Sequence, residues 1–185
     1  MIIIGITGTL GAGKGTIVDY LVQEKGFVHF SVRGYITEEI IRQGLQVNRD
    51  SMVVVANGLR AANSPSYIID QLYEQALLTG KNCIIESIRT PGEVESLREK
   101  GNFLLFAVDA DPVLRYDRIV MRNSETDRIS FETFVENEER EMQSNDPNKQ
   151  NIGKCIAGAD YILFNNSTVA ELHKQIEDEL HKLNL

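Results

Sequence analysis

The stretch Gly8-Thr9-Leu10-Gly11-Ala12-Gly13-Lys14-Gly15-Thr16 carries the residue types and spacing of a phosphate-binding cradle. It follows directly on the apolar run Ile2-Ile3-Ile4-Gly5-Ile6. Glycines allow successive backbone N–H groups to turn inward around an anion, with no Cβ in the way. A helix beginning near Lys14 aims its unpaired N–H groups and positive dipole end at the same anion. Lys14 adds a full charge within reach of the β- and γ-phosphates of a nucleotide. The loop set expected to hold that nucleotide is Gly8, Leu10, Gly11, Ala12, Gly13, Lys14, Gly15 and Thr16. A hydroxyl residue commonly follows the lysine in such loops and supplies Mg²⁺ with a ligand. Here Gly15 takes that place, so the hydroxyl of Thr16 is left for a phosphate contact or a water-mediated contact with the ion.

Phosphoryl transfer asks the protein for alignment and positive charge rather than covalent chemistry. The chain offers several groups for this. Glu86 closes the apolar run Cys83-Ile84-Ile85, where a carboxylate must be solvated, paired or close to a metal. Arg89 follows shortly after. Arg115, Arg118 and Arg122 are spaced i, i+3, i+7 and share one helix face. On the acceptor side Arg33, after the second apolar run, is the best placed cation, with Arg42 and Arg60 as further candidates. Each of these charges is equally the mark of a solvated surface. The three histidines have no partner pattern in the sequence.

The elements that must position these groups alternate along the chain. Strands are predicted over 2–7, 27–31, 83–86, 103–108 and 161–164. Helices are predicted over 14–24, 34–43, 50–62, 66–79, 91–99, 112–122, 130–143 and from Thr168 onward. The last is expected to bury Leu172, Ile176, Leu180 and Leu183. Capping boxes at Thr90-Pro91-Gly92-Glu93 and Thr168-Val169-Ala170-Glu171 fix two helix starts. Apolar strands alternating with helices mean an α/β protein with a parallel sheet covered on both faces, and a ligand site beyond the C-terminal strand ends. Ser31, Glu86 and Asp109 are expected along that edge.

The chain has 185 residues, with 42% hydrophobic and 25% charged residues, the composition of one ordinary globular domain. A net charge of −8 argues against a broad nucleic-acid surface. The apolar runs are too short to span a bilayer, and the N-terminus has no basic leader. Cys83 and Cys155 have no metal-ligand spacing and read as reduced thiols, which points to the cytoplasm.

The loop form GxxGxGKGT resembles that of adenylate kinases and their nucleoside-monophosphate kinase relatives in the P-loop superfamily. The segment Glu86-Ser87-Ile88-Arg89-Thr90 is similar to the Asp-Gly-Phe-Pro-Arg segment after the third strand of those enzymes, with Glu for Asp and one residue fewer. Leu114 to Arg122 resembles the helix that leads into their mobile lid, with Arg118 and Arg122 in the matching places. The resemblance implies a single P-loop kinase domain over 1–185, acceptor-binding helices within 33–79, and a short lid over 115–130. It implies ATP and Mg²⁺ as cofactors and a small-molecule phosphate acceptor as partner. Lys14, Arg89, Arg122 and Glu86 are then catalytic, Glu86 and Thr16 serve the metal, Arg118 serves the nucleotide, and Arg33 and Arg89 grip the acceptor. The stretch Ala159 to Asn166 also looks like dephospho-coenzyme A kinases, which leaves that acceptor open. A nucleotide-switched ATPase that acts on a protein partner is the alternative from another class. The oligomeric state is not indicated.

Overall fold

The structure is a computed structural model that describes residues 1–122 and 128–185. Its centre is a parallel sheet of β1 (Ile3–Gly8), β2 (Val28–Ser31), β3 (Cys83–Glu86), β4 (Phe103–Asp109) and β5 (Tyr161–Phe164), in the order β2-β3-β1-β4-β5. β1 therefore lies in the middle, paired with β3 on one side and β4 on the other. The chain moves outward from β1 in opposite directions at this point, and the crevice beyond the strand ends opens there.

Helices cover both faces. On one face α1 (Lys14–Gln23) and α9 (Val169–Lys182) press Ile17, Leu21, Leu172 and Ile176 onto Ile4, Ile6, Ile84 and Leu163. On the other, α2 (Val32–Arg42), α3 (Arg49–Ala62), α4 (Tyr67–Thr79) and α5 (Pro91–Lys100) enclose Ile3, Ile85 and Leu105. Each interior strand feeds both cores through its two faces, which is why these strands read as unbroken apolar runs. The remaining described helices are α6 (Pro112–Arg122), α7 (Phe131–Met142) and α8 (Ile152–Ala157).

Local signals set most boundaries. Thr90 and Glu93 form a full capping box, each satisfying the other's backbone N–H, and at Thr168 the side chain caps α9 by accepting from the N–H of Glu171. Two expectations change. The short helix α8 has no periodic run to announce it, and Asn151 caps it by accepting from the N–H of Lys154. Leu183 lies just past the end of α9 and is half-buried, whereas Leu172, Ile176 and Leu180 are fully enclosed. Part of the expected lid, residues 123–127, lies outside the described residues.

Candidate functional site

β1 delivers the glycine-rich loop to the centre of the crevice. Gly8, Gly11 and Gly13 all have positive φ, and Gly13 caps α1 in the left-handed region. Space as well as conformation demands glycine here. A Cβ at Gly8 would stand 2.3 Å from the Val108 carbonyl oxygen, at Gly11 2.4 Å from the Arg115 carbonyl oxygen, and at Gly13 2.2 Å from Asn165 Nδ2. The loop is thus wedged against β4, α6 and the turn after β5. Asn165 completes the fit by donating from Nδ2 to the Ala12 carbonyl at 2.9 Å.

Lys14 folds over the loop, its Nζ donating to the carbonyls of Gly8 at 2.8 Å and Thr9 at 2.9 Å. Burial and then the nearby Arg89 charge lower its pKa to about 8, against the support of Glu86 and Glu141. Arg122 also acts on it. Lys14, Glu86, Arg89, Arg122 and Glu141 therefore share one electrostatic neighbourhood. An anion placed there would offset the crowding of positive charge.

Glu86 sits at the end of β3, in register with Ser31 on β2 and Ile6 on β1. Burial pushes its pKa up, but His29, a hydrogen bond from Ser87 and the Lys14 charge outweigh it and hold the carboxyl at about 2. His29 Nε2 lies 3.8 Å from Glu86 Oε2, and Ser31 Oγ donates to the same oxygen at 3.4 Å. Ser87 adopts φ 74, a region that costs a non-glycine residue free energy and recurs at functional sites. Its N–H and that of Ile88 both bond the Ile6 carbonyl, which locks the turn onto β1. Oxygen donors of this kind suit Mg²⁺. The Glu86 carboxylate stays ionised and already accepts from its neighbours, so it fits the ion through water rather than by direct ligation, with Thr16 on the first turn of α1.

Leu10 of the loop and Ser87 of the turn after β3 border an open cleft. Four arginines, Arg33, Arg49, Arg60 and Arg89, line it together with apolar surface from Val32, Ile36, Met52 and Ala56. Arg89 Nη1 donates to Glu141 Oε2 at 2.8 Å and to Gln150 Oε1 at 2.7 Å. Arg49 Nη2 donates to the other oxygen, Glu141 Oε1, at 2.6 Å. Arg60 is buried and paired with the equally buried Glu93 at 2.7 Å. Glu93 also accepts the backbone N–H groups of Arg89 and Thr90, so one carboxylate fixes both the pair and the start of α5.

The three arginines of α6 do not act as a set. Arg115 is buried: its Nε donates to the Ala110 carbonyl, one Nη contacts the Leu10 carbonyl at 3.3 Å, and the guanidinium pairs with Glu138 of α7. It holds the loop from behind. Arg118 is half-buried and donates to the Asn165 carbonyl at 2.8 Å, while its Nη1 has no hydrogen-bond partner among the described residues. Arg122 stands at the exposed end of α6. Arg42 pairs with Glu39 on the surface and does not line the cleft. Arg33, by contrast, faces it.

Residues 4–144 match the sequence model of a family described as an AAA domain. The UPF0200 protein of Thermococcus kodakarensis is 30% identical, with 99% of this chain and 100% of that one aligned. The chain belongs to the AAA-domain and UPF0200 families. A second UPF0200 protein, from Methanococcus vannielii, is 29% identical over 99% of this chain and 97% of its own. Solved structures share the fold of this UPF0200 member at low identity. TT1252 of Thermus thermophilus has a TM-score of 0.64 at 20% identity, covering 98% of this chain and 97% of that one. A gluconokinase of Sinorhizobium meliloti has 0.63 at 12%, covering 98% and 93%. A shikimate kinase of Bacteroides thetaiotaomicron has 0.53 at 15%, covering 100% and 99%. The fold is that of the P-loop kinases.

Three groups in the site of this UPF0200 member were not legible as functional in its sequence. Arg49 opens α3 behind the Asn48 cap, Glu141 lies near the end of α7, and His29 is on β2. Their partners are remote in sequence, and no local pattern marks them. Among the described residues no helix is long and apolar enough to cross a membrane.

Proposed function

We propose that the protein is an ATP-dependent phosphotransferase that moves the γ-phosphoryl group of ATP to a nucleoside monophosphate. The observation that carries this reading is the arginine-lined cleft that opens beside Leu10 of the glycine-rich loop, with apolar walls from α2 and α3. Guanidinium forks suit phosphate oxygens, and the apolar walls suit a flat base. A fold shared with a gluconokinase and a shikimate kinase is in keeping with a small-molecule acceptor.

Glu86 supports the same choice. A hydroxyl acceptor needs a base to take its proton, and a carboxylate held at about 2 is a poor one. A phosphate acceptor already carries its nucleophile as an anion. In this reading the loop N–H groups and Lys14 hold the β- and γ-phosphates, with Arg118 and Arg122 alongside. Arg33 and Arg89 grip the acceptor phosphate. One of its oxygens attacks the γ-phosphorus in line, the bond to the β-bridging oxygen breaks, and ADP leaves. The transferred group spreads its charge over several oxygens, and Arg89, Lys14 and Arg122 are the cations around it. Glu86 and Thr16 would steady Mg²⁺ through water, and the ion would supply charge neutralisation to the phosphates. The helices within 33–79 form the acceptor side of one domain spanning 1–185.

A coupled assay of ADP release over nucleoside monophosphates, dephospho-coenzyme A, gluconate and shikimate tests this. Stimulation by a monophosphate is expected. Turnover with dephospho-coenzyme A alone would reassign the acceptor and leave ATP as donor. Slow hydrolysis altered only by a protein would replace the kinase with a nucleotide switch.

A further inference from the structure

Two carboxylates meet the arginines of the cleft, and they are held differently. Glu93 takes two bonds from Arg60 and two from backbone N–H groups, so its oxygens are saturated by the fold itself. Among the described residues Glu141 has only guanidinium donors: Arg49 on one oxygen and Arg89 on the other. It is 5% exposed, and although burial disfavours its charge, Arg89 and Arg49 keep it ionised. It occupies the penultimate position of α7, before the extended Gln143. Two buried cationic nitrogens on arginines that line the same cleft, Arg49 Nε and Arg60 Nη1, have no hydrogen-bond partner among the described residues. Buried donors of that kind ordinarily find an acceptor. One carboxylate has too few oxygens for this seat, and a phosphate monoester has three.

We propose that Glu141 is a resident anion on the acceptor's phosphate seat, and that the phosphate displaces it from Arg49 and Arg89 on binding. The proposal rests on the reading of this cleft as the acceptor site. Its consequence is quantitative. If the seat is open only in the fraction of molecules whose Glu141 has swung out, every anion that uses it is weakened by the same factor. A fixed negative charge acting through space would instead penalise a dianion about twice as much in free energy as a monoanion, and so by the square of the factor.

Phenyl phosphate and phenyl sulfate, a dianion and a monoanion of nearly one shape at pH 8, separate these cases by calorimetry. Glu141→Gln is expected to tighten both by a common factor of roughly ten or more. Glu141→Asp keeps the charge but shortens the reach, and is expected to tighten both to a smaller extent. Arg49→Gln should weaken both, which assigns the binding to the cleft. Weaker or unchanged binding in Glu141→Gln would make the residue a support for the arginines and overturn the proposal. Tightening of the phosphate by the square of the sulfate's factor would overturn it too. A thermal melt of each variant establishes that it is folded, and the aspartate variant carries the test if the glutamine variant is not. Monophosphate turnover with unchanged affinities in both Glu141 variants would sink this inference alone. Tightened affinities with no monophosphate turned over would sink the phosphotransferase reading alone.

Discussion

The two sides of the crevice are built in opposite ways. In the reading proposed above, the donor side is one contiguous stretch, Gly8 to Thr16, binding mostly through backbone N–H groups, and the acceptor side is the arginine-lined cleft. The acceptor side is assembled from side chains on α2, α3, the turn after β3 and α7, held in place by Glu93 and Glu141. Backbone donors in a helix-capping loop are fixed once the loop folds. Side-chain donors from four elements need partners of their own, which are the buried ion pairs. The donor side is therefore expected to depend on very few side chains, and the acceptor side on many.

The sharpest way to break that contrast is Lys14→Ala. It should remove most nucleotide affinity and turnover while leaving the fold intact, because a charge-assisted contact is lost and no cavity is opened. Thermal shift with ATP–Mg²⁺ checks it: a ligand-induced gain equal to that of the wild type would sink the loop assignment. Next come Arg89→Ala and Arg122→Ala, each expected to lower kcat by roughly a hundredfold, the loss of about 3 kcal/mol of transition-state stabilisation. Arg89→Ala should also destabilise the unliganded protein by leaving Glu141 half-paired.

The acceptor side also carries a stability load that the donor side lacks. Glu93→Gln leaves Arg60 charged and buried without its counter-ion, and is expected to cost about 3 kcal/mol or more in denaturant unfolding. A cost under about 1 kcal/mol would show that the pair is dispensable.

Titration separates the two sides further. Glu86 is ordinarily near 4.5 and is held at about 2, so its contribution is complete above 4.5 and is lost as pH falls through 2. Lys14 is ordinarily near 10.5 and is lowered to about 8, so the unfolded chain binds more protons between those values. Its contribution to stability therefore rises with pH from 8 to 10.5, and below 8 the charged lysine is a cost. Nucleotide phosphates should restore its proton. Calorimetry at pH 8.5 in buffers of different ionisation enthalpy is expected to show proton uptake on ATP binding, absent in Lys14→Ala. The smallest effect is expected at Arg98, whose partly exposed pair with Asp160 lies on the outer side of α5. Arg98→Ala should leave kcat unchanged and cost under about 1 kcal/mol.

The same contrast explains what could be read from the residues alone. The succession of strands and helices along the chain, apart from the short α8, is written in local patterns, as are the loop and the capping threonines at Thr90 and Thr168, whereas the order of strands across the sheet is not. Glu86 and Arg89 were visible because a strand end announces them. Arg49, Glu141 and His29 were not, since each takes its meaning from a partner far along the chain. Arg115 shows the limit of periodicity. Its spacing puts it on one face with Arg118 and Arg122, but only the packing of α7 decides that this cation is buried behind Leu10.

The wedging of the loop has a bearing on how such a protein can diverge. Gly8, Gly11 and Gly13 each abut a different neighbour, at Val108, Arg115 and Asn165. A larger residue at any of them needs a matching retreat elsewhere in the chain, so single steps of mutation are blocked. Of the cleft's apolar wall, Val32 and Ile36 are tied into the core in their turn, whereas Met52 and Val53 are only half-buried. If the cleft takes the acceptor, its preference can drift at those two positions one residue at a time, and a laboratory search for new acceptors should begin with them.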